Sequence, residues 1–263
     1  MTRPRWWSIV QASREEACLA VEMYNRPGAP RSYEAFVVHM HLAWLYLLQA
    51  VACRSGVDYR YIEMRGRARR IVRVDGEPKT WDLDRHVSER WPAVNDPVQA
   101  NLQFFIALRN KIEHRYTHFQ EALAIATGGH AHALLVNYEV ELTSQFGAEA
   151  SLAHQLRFPV FVGSFTEGGE AVLRQLRASL PAGLRRFLTC YHDGLDPQVR
   201  DDSRFEFRLR LTQVTAGRGG DALPLEFVRL ADMSAEQQAA LGEQARQVLQ
   251  SRFSGAWSRC CSA

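Results

Sequence analysis

A long helical repeat of apolar residues after Asp96 constrains the fold of this chain more than any other feature. On an ideal α-helix these residues fall on one stripe, which must pack against other helices. They are Val98, Leu102, Phe105, Leu108, Ile112, Tyr116, Phe119 and Leu123. Asp96 is suited to cap the helix, Pro97 suits its first position, and Gly128-Gly129 is expected to end it. The pattern predicts one helix of about 30 residues.

Other helices are predicted from periodicity, capping residues and breakers. The first begins at Ser13, which forms a capping box with Glu16. The predicted ranges are 13 to about 24, about 32 to 53, about 131 to 146, 169 to 192 with a break at Pro181, and 234 to about 253. Residues 36–53 are long and apolar enough to be considered a membrane span. His39, His41 and Gln49 interrupt them, which favours a core helix.

Residues 57–91 form a basic segment of different character. Asp75-Gly76 between short alternating runs predicts a β-hairpin. Its candidate RNA-phosphate contacts are Arg65, Arg67, Arg69, Arg70 and Arg73. A guanidinium keeps its charge and forms a planar fork that suits phosphate. A solvated hairpin face explains the same residues equally well.

The fold class is therefore expected to be mainly α. Residues 1–154 are predicted to form a helical bundle with the β-excursion at 57–91, and residues 155–263 a smaller α+β portion. Within the second part, residues 204–214 (RFEFRLRLTQV) alternate between charged and apolar side chains, which predicts a half-buried strand. The role of this part stays open.

Composition narrows the class of protein. Hydrophobic residues make up 46% and charged residues 23% of the chain. These proportions are those of ordinary globular proteins. The five cysteines include no C-x-x-C pair, which argues against a disulfide framework and a cysteine zinc site. We expect a cytoplasmic protein with no membrane association. No phosphate-binding glycine motif is present, so no nucleoside-triphosphate site of known form is expected. We expect no cofactor.

A dense polar cluster interrupts the long helix at residues 109–115. Asn110 and His114 lie one turn apart and away from the apolar stripe, whereas Arg109 lies at its edge, about 140° from His114. Two copies of the helix across a two-fold axis could bring these groups together. An ion pair between Arg109 and Glu113, or a solvated helix face, explains the cluster as well. His114 and His118 have the spacing of a metal pair, but we expect no metal.

Arg109-Asn110-x-x-x-His114 resembles the motif of the HEPN superfamily (higher eukaryote and prokaryote nucleotide-binding domains), in which Arg and His are separated by four to six residues. The surrounding NLQFFIALRNKIEHRY, with AVEMYNRP and AWLYLLQA before it and LLVNYEVELTSQFG after it, resembles a bacterial HEPN branch catalogued as a domain of unknown function. The resemblance covers about residues 17–150. It implies a helical bundle that dimerises with its motif helices face to face. It also implies metal-independent endoribonuclease activity, often in toxins or anti-phage defence.

By this resemblance, Arg109, Asn110 and His114 are the expected catalytic residues. A histidine can transfer protons near neutral pH, and an arginine can stabilise a phosphorane. Supporting roles are expected for Glu113, Arg115 and Tyr116. The expected partners are RNA, a second copy of the chain, and an antitoxin or regulatory protein. Two alternatives remain: a non-catalytic RNA- or nucleotide-binding module, and an interaction protein that uses the bundle only to dimerise.

Overall fold

The computed structural model describes residues 3–26, 28–66, 68–93, 95–115, 117–157, 159 and 167–207, with the backbone alone at 113–115, 117 and 167. These ranges are mainly helical, so the predicted fold class is confirmed. The helices are α1 (Arg5–Tyr24), α2 (Ser32–Arg54), α3 (Leu83–Arg90), α4 (Pro97–Arg115), α5 (Gln120–Phe146), α6 (Glu167–Ala178), α7 (Ala182–Asp193) and α8 (Pro197–Arg200). Short 3₁₀ turns, Thr117–Phe119 and Ala148–Ala150, flank α5.

Helix α2 lies at the centre of the bundle and contacts α1, α3, α4 and α5. Its large side chains Phe36, Met40, Trp44 and Leu47 are at most 1% exposed. By length and composition α2 could also cross a membrane, and 44% of its most apolar window is buried here. Its packing is that of a core helix, because apolar residues on several of its sides meet other helices.

Helix α1 begins at Arg5, so the predicted start at Ser13 is wrong. Ser13 is fully buried, and its hydroxyl donates to the carbonyl oxygen of Ala43 over 2.7 Å. The same hydroxyl lies 2.7 Å from the Tyr138 Oη atom. Ser13 therefore joins α1 to α2 and α5 and does not cap a helix.

The single long helix predicted after Asp96 is also wrong, because α4 ends at Arg115 and α5 begins at Gln120. Gly128-Gly129 lies inside α5. A Cβ atom on Gly129 would lie only 2.8 Å from Cγ of Glu206, so the glycine permits a close approach by a later segment. The first residue of α5, Gln120, is bonded to α2. Its side chain accepts a hydrogen bond from the Glu34 backbone N–H over 2.7 Å.

The basic segment 57–91 contains two short antiparallel pairs and one helix. Strand β1 (Ile62–Arg65) pairs with β2 (Ala68–Ile71), and β3 (Arg73–Val74) pairs with β4 (Glu77–Pro78). Asp75 and Gly76 connect β3 to β4 with φ angles of 51° and 87°. These are the left-handed values that a tight hairpin turn needs. Helix α3 was not predicted. Asp82 caps it by accepting a hydrogen bond from the Arg85 N–H over 2.9 Å.

The helices after residue 154 share the core of the preceding bundle. Leu180, Leu184, Val199 and Phe205 are buried in it, and the first compact unit extends over Met1–Arg208. The boundary predicted near residue 154 therefore falls within this unit. The break predicted at Pro181 is confirmed, since α6 and α7 lie on either side of it.

Residues 204–206 form a turn and residue 207 is not in a strand, so this part of the predicted strand is wrong. The Asp202 carboxylate accepts hydrogen bonds from the backbone N–H and Nε of Arg204, over 2.8 and 3.0 Å. An aspartate that bonds the backbone two residues ahead bends the chain there. The remainder of that strand and the helix predicted from residue 234 lie outside the described residues.

Candidate functional site

Helix α4 carries the Arg-Asn-x-x-x-His motif on a well-anchored helix. The Asp96 carboxylate accepts hydrogen bonds from the N–H groups of Val98 (2.8 Å) and Gln99 (3.1 Å). This geometry confirms the predicted cap. Leu108 and Ile112 are fully buried and set the rotation of the helix about its axis. Their burial leaves the neighbouring polar positions at the edge of the core.

Arg109 is partly buried and lies near His41 of α2. Burial and, to a smaller degree, the positive charge of Arg109 together lower the pKa of His41 to about 4, against an opposing effect of the Asp82 carboxylate. The three groups come from α2, α4 and the residue that caps α3. Near neutral pH, therefore, the arginine lies beside a neutral imidazole.

The next motif positions face outward. Asn110 and Lys111 are exposed, as expected for the face opposite the apolar stripe. The Lys111 ammonium lies 5.1 Å from the centre of the Phe187 ring on α7. This distance is within the range of a cation–π contact. The motif helix is thus flanked by α2 at Arg109 and by α7 at Lys111.

Residue 114 lies one helical turn after Asn110 on the α4 backbone. The side chains of Glu113, His114 and Arg115 lie outside the described structure, as does Tyr116. Arg109 and Asn110 occupy different faces, since successive residues are about 100° apart. A single copy of α4 therefore does not gather the motif at one point. The spacing of a metal pair assumed that His114 and His118 lie on one face of a single helix. His118 belongs to the 3₁₀ turn and therefore does not continue the α4 face.

A buried histidine joins the hairpins to the bundle. His86 of α3 lies between Tyr59 and Trp81, with ring centres 5.6 and 5.4 Å away. Burial lowers the pKa of His86 to about 4. Tyr61 donates to the carboxylate of Asp82 over 3.3 Å, so the hairpin base and the cap of α3 are connected. This cluster was not predicted from the sequence. Asp82 has the residue type of a helix N-cap, and this could have indicated α3.

The candidate RNA-binding arginines divide between two faces of the β1–β2 pair. The register places Glu63 opposite Arg70 and Met64 opposite Arg69. Because side chains alternate along a strand, Arg65 shares a face with Arg70 and Glu63, whereas Arg69 shares the other with Met64. All four residues named from the sequence and described here, Arg65, Arg69, Arg70 and Arg73, are exposed. Arg67 lies outside the described residues. The four described arginines therefore do not form one continuous basic surface.

Not all exposed charge on the excursion is available to a ligand. Arg60 makes two hydrogen bonds to the Asp58 carboxylate, over 2.7 and 2.8 Å. This contact lowers the pKa of Asp58 to about 2, so the pair stays charged at neutral pH. Arg73 donates to the carbonyl oxygen of Gly76 over 2.5 Å and thereby supports its own turn. Arg65 and Arg70 remain the better candidates for a phosphate contact.

An open cavity of about 260 Å³ lies beyond the end of the motif helix. Residues 28–32 line one side, residues 118–122 line the other, and Leu176 and Ser179 complete it. The cavity includes the first residues of α5 and the loop that precedes α2. It is a depression large enough for part of a nucleotide or peptide.

A family model described as Domain of unknown function (DUF3644) matches residues 8–195, which is more than two thirds of the chain. The chain belongs to this family. No curated protein and no solved structure matches it. The DUF3644 region runs from α1 to just beyond α7 and includes both hairpins and α4. It is therefore longer than the range of about 17–150 over which the HEPN resemblance is traced.

The described part of this DUF3644 protein also contains a group of side chains with the chemistry of metal ligands. His130, His192 and Glu206 place one potential ligand atom each within 4.8 Å of the other two. Sequence reasoning missed this group because its members come from distant parts of the chain. Spacing rules find ligands on one element, whereas here α5, α7 and the turn after α8 each supply one.

Proposed function

We propose that this DUF3644 protein is a metal-independent endoribonuclease that cleaves RNA as a homodimer. Arg109, Asn110 and His114 are its catalytic residues, and Glu113, Arg115 and Tyr116 support them. The observation that carries the proposal is the placement of the HEPN-like motif on α4. Buried Leu108 and Ile112 anchor the helix, and Asn110 faces solvent one turn before position 114.

The reaction is an internal transesterification. The 2′-oxygen of one ribose attacks the adjacent phosphorus, and the bond from phosphorus to the 5′-oxygen breaks. A His114 imidazole accepts the 2′-hydroxyl proton, and the imidazolium of the second subunit's copy protonates the leaving 5′-oxygen. Arg109 stabilises the charge that develops on the phosphorane oxygens. The products are a 2′,3′-cyclic phosphate and a 5′-hydroxyl.

The surroundings of Arg109 support this role. His41 is the neighbouring titratable group on α2, and its lowered pKa keeps it neutral near neutral pH. The Asp82 carboxylate acts on the same imidazole in the opposite direction. Because His41 is neutral, it adds no second positive charge near the Arg109 guanidinium.

A dimer is part of the proposal because α4 turns Arg109 and Asn110 to different sides. Two helices related by a two-fold axis would place the motif residues of one copy opposite those of the other. Light scattering coupled to gel filtration tests this requirement directly. A monomer that retained full activity would refute the composite site.

The decisive experiment is cleavage of bulk cellular RNA by purified protein in excess chelator. Wild type is compared with His114→Ala, Arg109→Ala and the control His154→Ala, which alters an exposed histidine away from α4. We expect cleavage and cyclic-phosphate ends with wild type and the control. Cleavage by His114→Ala at the wild-type rate would overturn the proposal. If the protein is a toxin or defence effector, His114→Ala also relieves growth arrest on expression.

The exposed arginines favour a second candidate, a non-catalytic RNA- or nucleotide-binding module. Arg65 and Arg70 share one face of the β1–β2 pair, so both can contact a phosphate backbone from one side. Fluorescence anisotropy with labelled RNA separates the candidates. The double substitution Arg65→Ala/Arg70→Ala should weaken binding and reduce the salt slope by about 1–2. Arg26→Ala is the control, because Arg26 is paired with Glu22 on the surface. Binding without cleavage would favour this module.

A further inference from the structure

His130, His192 and Glu206 form a compact group of nitrogen and carboxylate ligands. Nε2 of His130 lies 3.0 Å from Nε2 of His192, and each potential ligand atom lies within 4.8 Å of the others. His130 is buried, whereas His192 and Glu206 are partly exposed. Solvent can therefore reach the group from the side of His192 and Glu206.

A set of buried hydrogen bonds holds the turn that carries Glu206 against α5. Asn101 of α4 is fully buried and donates both to the carbonyl oxygen of His130 (3.1 Å) and to that of Phe205 (2.8 Å). The backbone N–H of Phe207 donates to the carbonyl oxygen of Gly129 over 2.9 Å. One residue on each side of Glu206 is thus bonded to a fixed partner.

Gly129 is required for the approach of Glu206 to His130. A Cβ atom at this position would lie 2.8 Å from Cγ and 3.1 Å from Oε1 of Glu206. It would also lie 3.3 Å from the carbonyl oxygen of Phe207. Only a residue without a side chain permits the carboxylate to lie over α5 next to the histidine.

Aromatic rings fix the orientation of the His130 imidazole. Phe104 stacks on it with ring centres 4.5 Å apart, and Phe205 meets it edge to face at 5.0 Å. Tyr191, next to His192, donates to the carbonyl oxygen of Ala100 over 2.9 Å and fixes α7 beside α4. The group is therefore pre-organised by packing on one side and by hydrogen bonds on the other.

Two imidazole nitrogens and one carboxylate oxygen are a ligand set typical of zinc. Tetrahedral coordination with Zn–N distances of about 2.0–2.1 Å separates the two nitrogens by about 3.3 Å. The nitrogens of His130 and His192 are 3.0 Å apart, which is close to this separation. A proton shared between the imidazoles accounts for the same distance, so proton and metal must be distinguished by experiment.

We propose that His130, His192 and Glu206 bind one divalent cation of the zinc class. The cation joins α5, α7 and the turn after α8, and its fourth position is open to water. Its main effect is to hold these three segments together. This inference does not depend on the proposed ribonuclease activity, in which the cation takes no chemical part.

The test uses full-length protein purified without a histidine tag and dialysed against zinc-free buffer. Zn²⁺ is titrated by calorimetry, and bound zinc is counted by mass spectrometry after gel filtration. We expect about one zinc per wild-type chain. Glu206→Gln and His192→Ala should each weaken binding by about 100-fold or more, since even outer partners of metal ligands contribute about 10–100-fold. His154→Ala and Glu149→Gln, both at exposed positions, should bind as wild type does.

Two further measurements keep the test decisive. Glu206→Gln keeps the shape of the side chain, and circular dichroism confirms that each variant is folded. Gly129→Ala leaves all three ligands in the chain but displaces Glu206, and should also weaken binding. Equal zinc content in wild type and Glu206→Gln, or zinc in neither, would overturn the proposal and favour the shared proton. His114-dependent cleavage is measured separately, so failure of one proposal leaves the other intact.

Discussion

The two adjacent glycines of α5 provide a prediction with a built-in control. Both lie in the interior of a long helix, Gln120–Phe146. In a helix interior alanine is favoured over glycine by about 0.8–1 kcal/mol. A Cβ on Gly128 would meet its nearest neighbour, the Tyr24 Oη atom, at 3.8 Å, an ordinary contact. Gly128→Ala should therefore raise the free energy of unfolding by about 0.5–1 kcal/mol.

Gly129→Ala gains the same helix propensity but forces Glu206 away and crowds the backbone of Phe207. Overpacking costs about 1–3 kcal/mol, so after the gain in helix propensity we expect a net loss of about 0–2 kcal/mol. The two variants should differ by about 2 kcal/mol in urea unfolding followed by circular dichroism, with unchanged m-values. Equal shifts in the same direction would refute the argument that residues 204–207 pack against Gly129.

Three further predictions concern buried polar groups. The unfolded His86 is protonated below about pH 6.5 and the folded one only below about 4, so wild type loses stability as the pH falls through this window. Between about pH 8 and about pH 5, the free energy of unfolding should fall by about 2 kcal/mol more in wild type than in His86→Phe. Urea midpoints that fall equally in the two proteins would contradict this. Asn101 donates to two buried carbonyl oxygens, whereas Asn25 bonds only at the end of α1. Urea unfolding should therefore show a cost of about 2–3 kcal/mol for Asn101→Ala against under about 1 kcal/mol for Asn25→Ala. Tyr138→Phe should lower the free energy of unfolding by about 1 kcal/mol. Ser13→Ala should lower it more, since the Ser13 hydroxyl bonds to both Tyr138 and Ala43. The reverse order would refute the two hydrogen bonds assigned to Ser13.

The features predicted correctly from the sequence are those with a local cause. Asp96 caps α4 through its own neighbours, and Pro181 separates α6 from α7 because proline cannot continue a helix. The apolar run from Ser32 was predicted to form a helix, and α2 begins at that residue. In each case the residues that decide the structure lie within one or two turns of the element they control.

The errors have long-range causes. Gly128-Gly129 is typical of a helix end, yet α5 continues through it, and a segment much later in the chain occupies the space that a side chain on Gly129 would need. Ser13 has the pattern of a cap, yet its hydroxyl bonds to α2 and α5. Within the candidate sites, the proximity of Arg109 to His41 and the grouping of His130 with Glu206 also depend on packing that periodicity alone does not specify.

The proposed catalytic residues lie on α4, and the proposed cation site contacts that helix. One experiment with chelator therefore tests both proposals. Phe104 of α4 stacks on both His130 and Phe187, and Lys111 lies over the same Phe187 ring. A cation that holds α7 would therefore steady the flank of the motif helix without entering the chemistry. In chelator, wild type should keep cleaving RNA after its bound zinc is lost, and Glu206→Gln should cleave at one rate with or without chelator. An immediate loss on adding chelator, reversed at once by zinc, would instead place the metal in the reaction and refute metal-independent cleavage.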